Sequence, residues 1–206
     1  MKSSHLFFLG VGIALVLTAL LGTSLLARPY QYQGSVIDPA IPAPDFELID
    51  QNEQPFQLGQ RLAEDGRRKI ALIFFGYVHC PDVCPVTLSE YRQIKAELGE
   101  QAEQIDFIFV TVDPQRDTPE TLRKHLSNFD PDFVGLTGSQ EQLEQVWKDF
   151  NIFVYQHKPS EAGGYLVDHT ARVYVVDRQG ELRMTYPFGT GAAVMAEDMR
   201  HMVTEK

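Results

Sequence analysis

Cysteine is nearly missing from this 206-residue chain: there are two, Cys80 and Cys84. Neither lies directly after the apolar N-terminal run, where a thiol could take a lipid. Positive charge is also scarce, with 18 Lys and Arg against 28 Asp and Glu, a formal net charge of −10. Residues 1–27 hold only Lys2 among those charges, so the remainder is more acidic still. Such a surface is a poor one for nucleic acid or anionic lipid and suits a soluble domain or cationic partners. The sequence has no internal repeat, no low-complexity tract and no segment that reads as a separate output domain. A Thr-x-x-Cys motif ahead of the cysteines, the mark of a thiol peroxidase, is absent as well. The chain as a whole is 44% hydrophobic and long enough to bury a sizeable core.

One stretch lacks charge altogether. Leu6 to Ala27 contains no Asp, Glu, Lys or Arg, and crossing a bilayer takes ~20 such residues. A signal peptide would have an apolar region of roughly 7–15 residues and end at a small-x-small cleavage site. Leu25-Leu26-Ala27 puts Leu where a small residue is wanted, so residues 1–28 read as an uncleaved transmembrane anchor. With the N-terminus in the cytoplasm, the rest would lie beyond the inner (cytoplasmic) membrane, in the periplasm, where thiols can be oxidised. Residues 29–44 carry four prolines and no periodicity, and read as a linker. Residues 45–206 form the globular domain.

Within that domain, Asp45–Asp50 and Gln54–Leu58 alternate polar and apolar residues around a Gln-Asn-Glu turn, an N-terminal β-hairpin. Ile70–Phe75 is a short apolar run, a buried strand, and a helix over Thr87–Leu98 follows it. Strand Asp106–Val112 and the loop Asp113–Asp117 lead to a second helix running to Phe129, with Thr118 as N-cap and Pro119 in its first turn. A strand at Phe133–Leu136, a helix over Ser139–Phe150 and a strand at Ile152–Gln156 come next. After an excursion at His157–Gly164, two strands, Ala171–Val176 and Glu181–Tyr186, and a closing helix over Ala192–Glu205 complete the chain. The pattern predicts an α/β sandwich on a mixed sheet.

Both cysteines fall between the strand end and the helix start, in Phe75-Gly76-Tyr77-Val78-His79-Cys80-Pro81-Asp82-Val83-Cys84-Pro85. Pro85 suits the first helical position, and Cys84 at a helix entrance would be favoured as thiolate. Three uses compete for the pair. A structural disulfide would close so short a loop that it constrains the unfolded chain little. Dithiol exchange more usually has two intervening residues, and here there are three. A chelate on one soft metal ion suits the wider spacing, and an added imidazole would make an S₂N site for either oxidation state of copper. The imidazoles available are His5, His79, His125, His157, His169 and His201. His79 is as suited to tuning its neighbour's acidity as to ligation, and His169 lies in Val167-Asp168-His169-Thr170, just before a strand.

Together with Asp113-Pro114-Gln115-Arg116-Asp117-Thr118-Pro119, these motifs resemble those of the Sco (SenC-type) family, thioredoxin-fold copper chaperones for cytochrome oxidase. The resemblance runs from about Pro44 to the C-terminus. It implies a thioredoxin-like mixed sheet flanked by helices, with copper on Cys80, Cys84 and His169. It implies delivery to the CuA site of cytochrome c oxidase subunit II, with a copper donor or thiol reductant as further partner and no catalytic turnover. Asp82, Asp113, Arg116 and Asp168 are its candidates for contacts behind the metal or to a partner. The rival reading is a thiol–disulfide oxidoreductase keeping the recipient's cysteines reduced, with Cys80 and Cys84 as its disulfide.

Overall fold

The computed structural model describes residues 30–159 and 164–205. The expected anchor, residues 1–28, lies outside the described residues, among which no helix is long and apolar enough to cross a membrane. The chain divides into compact units at 1–31 and 32–206, and the second carries everything below.

Among the described residues, ten strands and four α-helices follow in the order β1 (Ser35–Pro42), β2 (Glu47–Asp50), β3 (Pro55–Gln57), β4 (Ile70–Gly76), α1 (Val83–Leu98), β5 (Ile105–Thr111), α2 (Pro119–Leu126), β6 (Val134–Thr137), α3 (Gln140–Asp149), β7 (Val154–Gln156), β8 (Val167–His169), β9 (Arg172–Val176), β10 (Glu181–Pro187) and α4 (Ala192–Thr204). Eight strands make one sheet in the order β1-β10-β9-β4-β5-β6-β2-β3. β4, β5 and β6 are parallel, and the remaining pairings are antiparallel. β7 and β8 form a separate antiparallel ribbon.

β4 is buried along its whole length, as its unbroken apolar run requires of a central strand covered on both faces. Its side chains alternate between the faces. Phe74 meets Phe109 at 6.1 Å, on the side where Tyr91 of α1 packs against Phe107. Phe75 points the other way, against Phe150 at the end of α3 and Tyr174 of β9. α4 lies against α1, and Leu122 and Leu126 of α2 close onto Gly135 of β6, where a Cβ would stand 2.5 Å from Leu126. This is a mixed α/β sheet flanked by helices, the thioredoxin-like arrangement.

Local caps fix two helix starts, the first of them the one expected at Thr118. Thr118 caps α2 by accepting from the Thr121 N–H, with Pro119 in the first turn. Ser139 and Gln142 form a reciprocal capping box at α3. Other boundaries differ. α1 begins at Val83, so Pro85 is the third helical residue, still among the N–H positions that lack an intrahelical partner. α2 stops at Leu126, and a tight turn with Phe129 N–H donating to the Leu126 carbonyl takes the place of the last helical residues. Ser35–Pro42, inside the stretch expected to be a linker, is an edge strand paired with β10 and bulged between Val36 and Ile41. Its prolines are tolerated because only one side of an edge strand needs its N–H groups.

Candidate metal centre

β4 runs through Gly76 into the turn that carries Cys80 and Cys84. Glycine is required there by close approach: a Cβ would stand 2.9 Å from the Cys84 sulfur and 2.8 Å from the Phe109 ring. The Cys80 N–H closes the turn on the Tyr77 carbonyl, and α1 starts three residues later. Cys84 is therefore fully buried in the first helical turn, while Cys80 is half-buried above it; both are free thiols.

His169 arrives from the opposite direction, on β8, where it faces Val154 across the ribbon. Its ring stands edge-on to Phe74 and Tyr77, each 6.0 Å away between centroids. Nδ1 lies 3.2 Å from the Thr170 carbonyl; with its proton directed there, Nε2 is left bare, 3.9 Å from the Cys84 sulfur. The donor atoms of Cys80, Cys84 and His169 all lie within 4.8 Å of one another. Two sulfurs and one imidazole nitrogen, converging without any carboxylate, are a donor set for a soft or borderline metal.

The two thiols are unequal. The Cys84 thiol donates to the Cys80 sulfur, and this, with help from His169 and the Asp82 and Cys84 backbone, holds the Cys80 thiol down at about 3 against the opposing effect of burial. The same hydrogen bond pushes the Cys84 thiol far above its ordinary value, and burial adds to the effect. One proton is thus retained by the pair, on the buried sulfur, with the outer sulfur as thiolate.

Residues 36–204 match the sequence profile of the family described as SCO1/SenC. The chain belongs to the SCO1/SenC family. A SCO2-like protein of Rickettsia conorii is 34% identical over 158 residues, 76% of this chain and 75% of that one. A protein of Stutzerimonas stutzeri described as a putative copper-binding protein is 39% identical over 141 residues, 68% and 66% of the two chains. Among solved structures, Bradyrhizobium japonicum ScoI with copper bound is 36% identical with a TM-score of 0.69, covering 79% of this chain and 99% of that one. Yeast Sco1 with copper bound is 26% identical with a TM-score of 0.70, covering 82% and 91%.

Around the three donors of this SCO1/SenC protein, the Asp113–Asp117 loop packs closer than its sequence indicates. Asp113 is buried, accepts from the Tyr165 hydroxyl at 2.7 Å and pairs with Arg116. The Arg116 guanidinium stands 3.6 Å over the Tyr165 ring and 5.7 Å from that of Tyr77, which is T-shaped to the His169 ring. Asp117 is wholly buried and braces the cysteine turn by accepting from the Val78 N–H at 3.1 Å and from the Thr111 hydroxyl at 2.7 Å. Asp82 is exposed just ahead of α1, and its side chain makes no cap. Asp168 is exposed too and is held by His157 at 2.8 Å, on the face of the ribbon away from His169. His79 is exposed beside the site, His125 packs on Phe109 and Phe129, His201 sits 3.6 Å from Glu205, and His5 lies outside the described residues. Asp117 and Tyr165 are the contacts that sequence reasoning passed over. The doubled acid of Asp-Pro-x-x-Asp marks the first, and nothing local marks the second.

Proposed function

We propose that Cys80, Cys84 and His169 bind copper as cargo and hand it by ligand exchange to the CuA site of cytochrome c oxidase subunit II during assembly. The observation that carries this is the convergence of two sulfurs and one nitrogen within 4.8 Å, from two parts of the fold far apart in sequence. Relatives described with copper bound support the choice of metal, and the Sco family is described as one of cytochrome c oxidase assembly proteins. Residues 1–28 would hold the domain at the inner membrane, facing the periplasm.

The donors suit carriage. Two thiolates with Cu(I) leave one net negative charge and with Cu(II) leave none, so the dipole at the start of α1 and neighbouring groups bias the state held. Half-burial of Cys80 leaves one sulfur reachable, so an incoming ligand can displace the donors one at a time. Nothing in this role needs turnover.

Copper titration of the reduced protein tests the assignment. Cys80→Ser, Cys84→Ser and His169→Ala should each lower affinity, and a His169→Ala protein that keeps the parent's affinity would remove the histidine from the ligand set. A second reading, thiol–disulfide exchange with the recipient's cysteines, is favoured by the thiolate character of Cys80. It needs both sulfurs and not the imidazole. Loss of copper with unchanged dithiol exchange in His169→Ala therefore separates carrier from reductase.

A further inference from the structure

The three donors come from supports of different kinds. Both sulfurs belong to the corner between β4 and α1, which the main sheet fixes, whereas His169 belongs to a ribbon of two three-residue strands with no place in that sheet. A ribbon so short does not hold itself in water. Something must seat it on the corner.

Besides the packing of Val167 and the His169 ring on the core, one contact chain built on Tyr165 reaches from the ribbon to the Asp113–Asp117 loop. Alternation along β8 and the two residues that lead into it puts Tyr165, Val167 and His169 on the inward side, with Leu166 and Asp168 exposed on the other. Tyr165 reaches across to the Asp113–Asp117 loop, donates its hydroxyl to the buried Asp113 carboxylate at 2.7 Å and has the Arg116 guanidinium 3.6 Å over its ring. Arg116 is in turn paired with Asp113 and stands over Tyr77, which also pairs with the Val167 backbone and makes a T-shaped contact with the His169 ring. A carboxylate acceptor makes the hydroxyl contact strong, and a guanidinium on a ring adds attraction through the ring face.

We propose that Tyr165, clamped by Asp113 and Arg116, is the positioning residue that seats the His169 ribbon against the cysteine corner and so sets how long copper is held. This rests on the copper reading above. Tyr165→Phe keeps the ring under Arg116 and removes only the hydroxyl.

Copper-loaded protein mixed with a Cu(I) chelator should release the metal about tenfold faster in Tyr165→Phe than in the parent, equivalent to about 1.4 kcal/mol. In His169→Ala, where the sulfurs alone hold Cu(I), adding Tyr165→Phe should leave the release rate unchanged. A merely structural role would give the same factor in both backgrounds, and that result overturns the proposal, as does an unchanged rate in Tyr165→Phe alone. The metal-free protein gives an independent reading. Hydrogen exchange at the His157 and Thr170 amides, which bond to the Leu166 and Phe153 carbonyls across the ribbon, should quicken in Tyr165→Phe while β4 and β5 amides do not change. If the parent binds no copper, the copper reading fails and the amides still decide the clamp: unaltered exchange at these two positions refutes it.

Discussion

Asp117 should weaken the folded protein as pH rises, and the size of that effect follows from its surroundings. The side chain has no exposure. One carboxylate oxygen accepts from Thr111 and Val78, and the other is buried with no hydrogen-bond partner among the described residues. Burial, with a smaller contribution from Asp113, pushes its pKa up to about 6, against the bonds from Thr111 and Val78 and the charge of Arg116. In the unfolded chain the same group titrates near ~3.9. The folded state therefore holds the proton more tightly, so the stability linked to it is complete below the unfolded value and is lost as pH climbs through the folded one. A gap of about two units corresponds to about 3 kcal/mol between pH 3 and pH 7. Urea unfolding of the reduced protein and of Asp117→Asn, measured at half-unit steps across that range, isolates the residue from every other titration. The parent should lose about 2–3 kcal/mol relative to the variant, mostly between pH 4 and 6.5, and run parallel to it above pH 7. A difference that stays constant with pH, or one in which the parent gains on the variant as pH rises, would refute the reasoning.

Alkylation of Cys80 should vary little between pH 5 and 8 because its thiol is held at about 3 by the Cys84 hydrogen bond; in Cys84→Ala the rate should climb with pH. Copper uptake at pH 8, followed with a proton-sensitive dye, should release about one proton per ion, since one sulfur is already a thiolate; two released protons would contradict the shared-proton pair. Gly76→Ala, whose new methyl would press on the Cys84 sulfur and Phe109, should cost about 1–3 kcal/mol in denaturant melts and weaken copper binding with it. Trp147→Phe strips the indole N–H from the buried Thr111 carbonyl and should lower stability by about 1–3 kcal/mol without altering copper affinity.

Segments with strong local chemistry were legible before folding. The apolar run of β4, the capped starts of α2 and α3 and the hairpin at 47–57 all announce themselves in a few neighbouring residues. The sulfur donors were visible as a spaced pair; His169 could be singled out only through its motif, because nothing between residues 85 and 168 says which distant loop returns to the corner. What stayed hidden depends on contacts far apart in sequence. β1 is a proline-containing edge strand whose pairing with β10 leaves no periodic mark. Tyr165 matters through Asp113, 52 positions earlier, and Asp117 through a backbone N–H 39 positions away.

The route by which the chain enters its domain has a mechanical corollary. The Gln33 and Gly34 N–H groups end on the buried Asp198 carboxylate of α4, and the following strand is the outermost of the eight, with β10 and β9 between it and β4. A pull applied upstream of Tyr32 would be borne by α4 and by the β1–β10 ladder, and would have to peel that edge away before straining the corner that holds the sulfurs. Tension entering from that side is thus spent on the far edge of the sheet, and the sulfur corner would feel it only after that edge had given way.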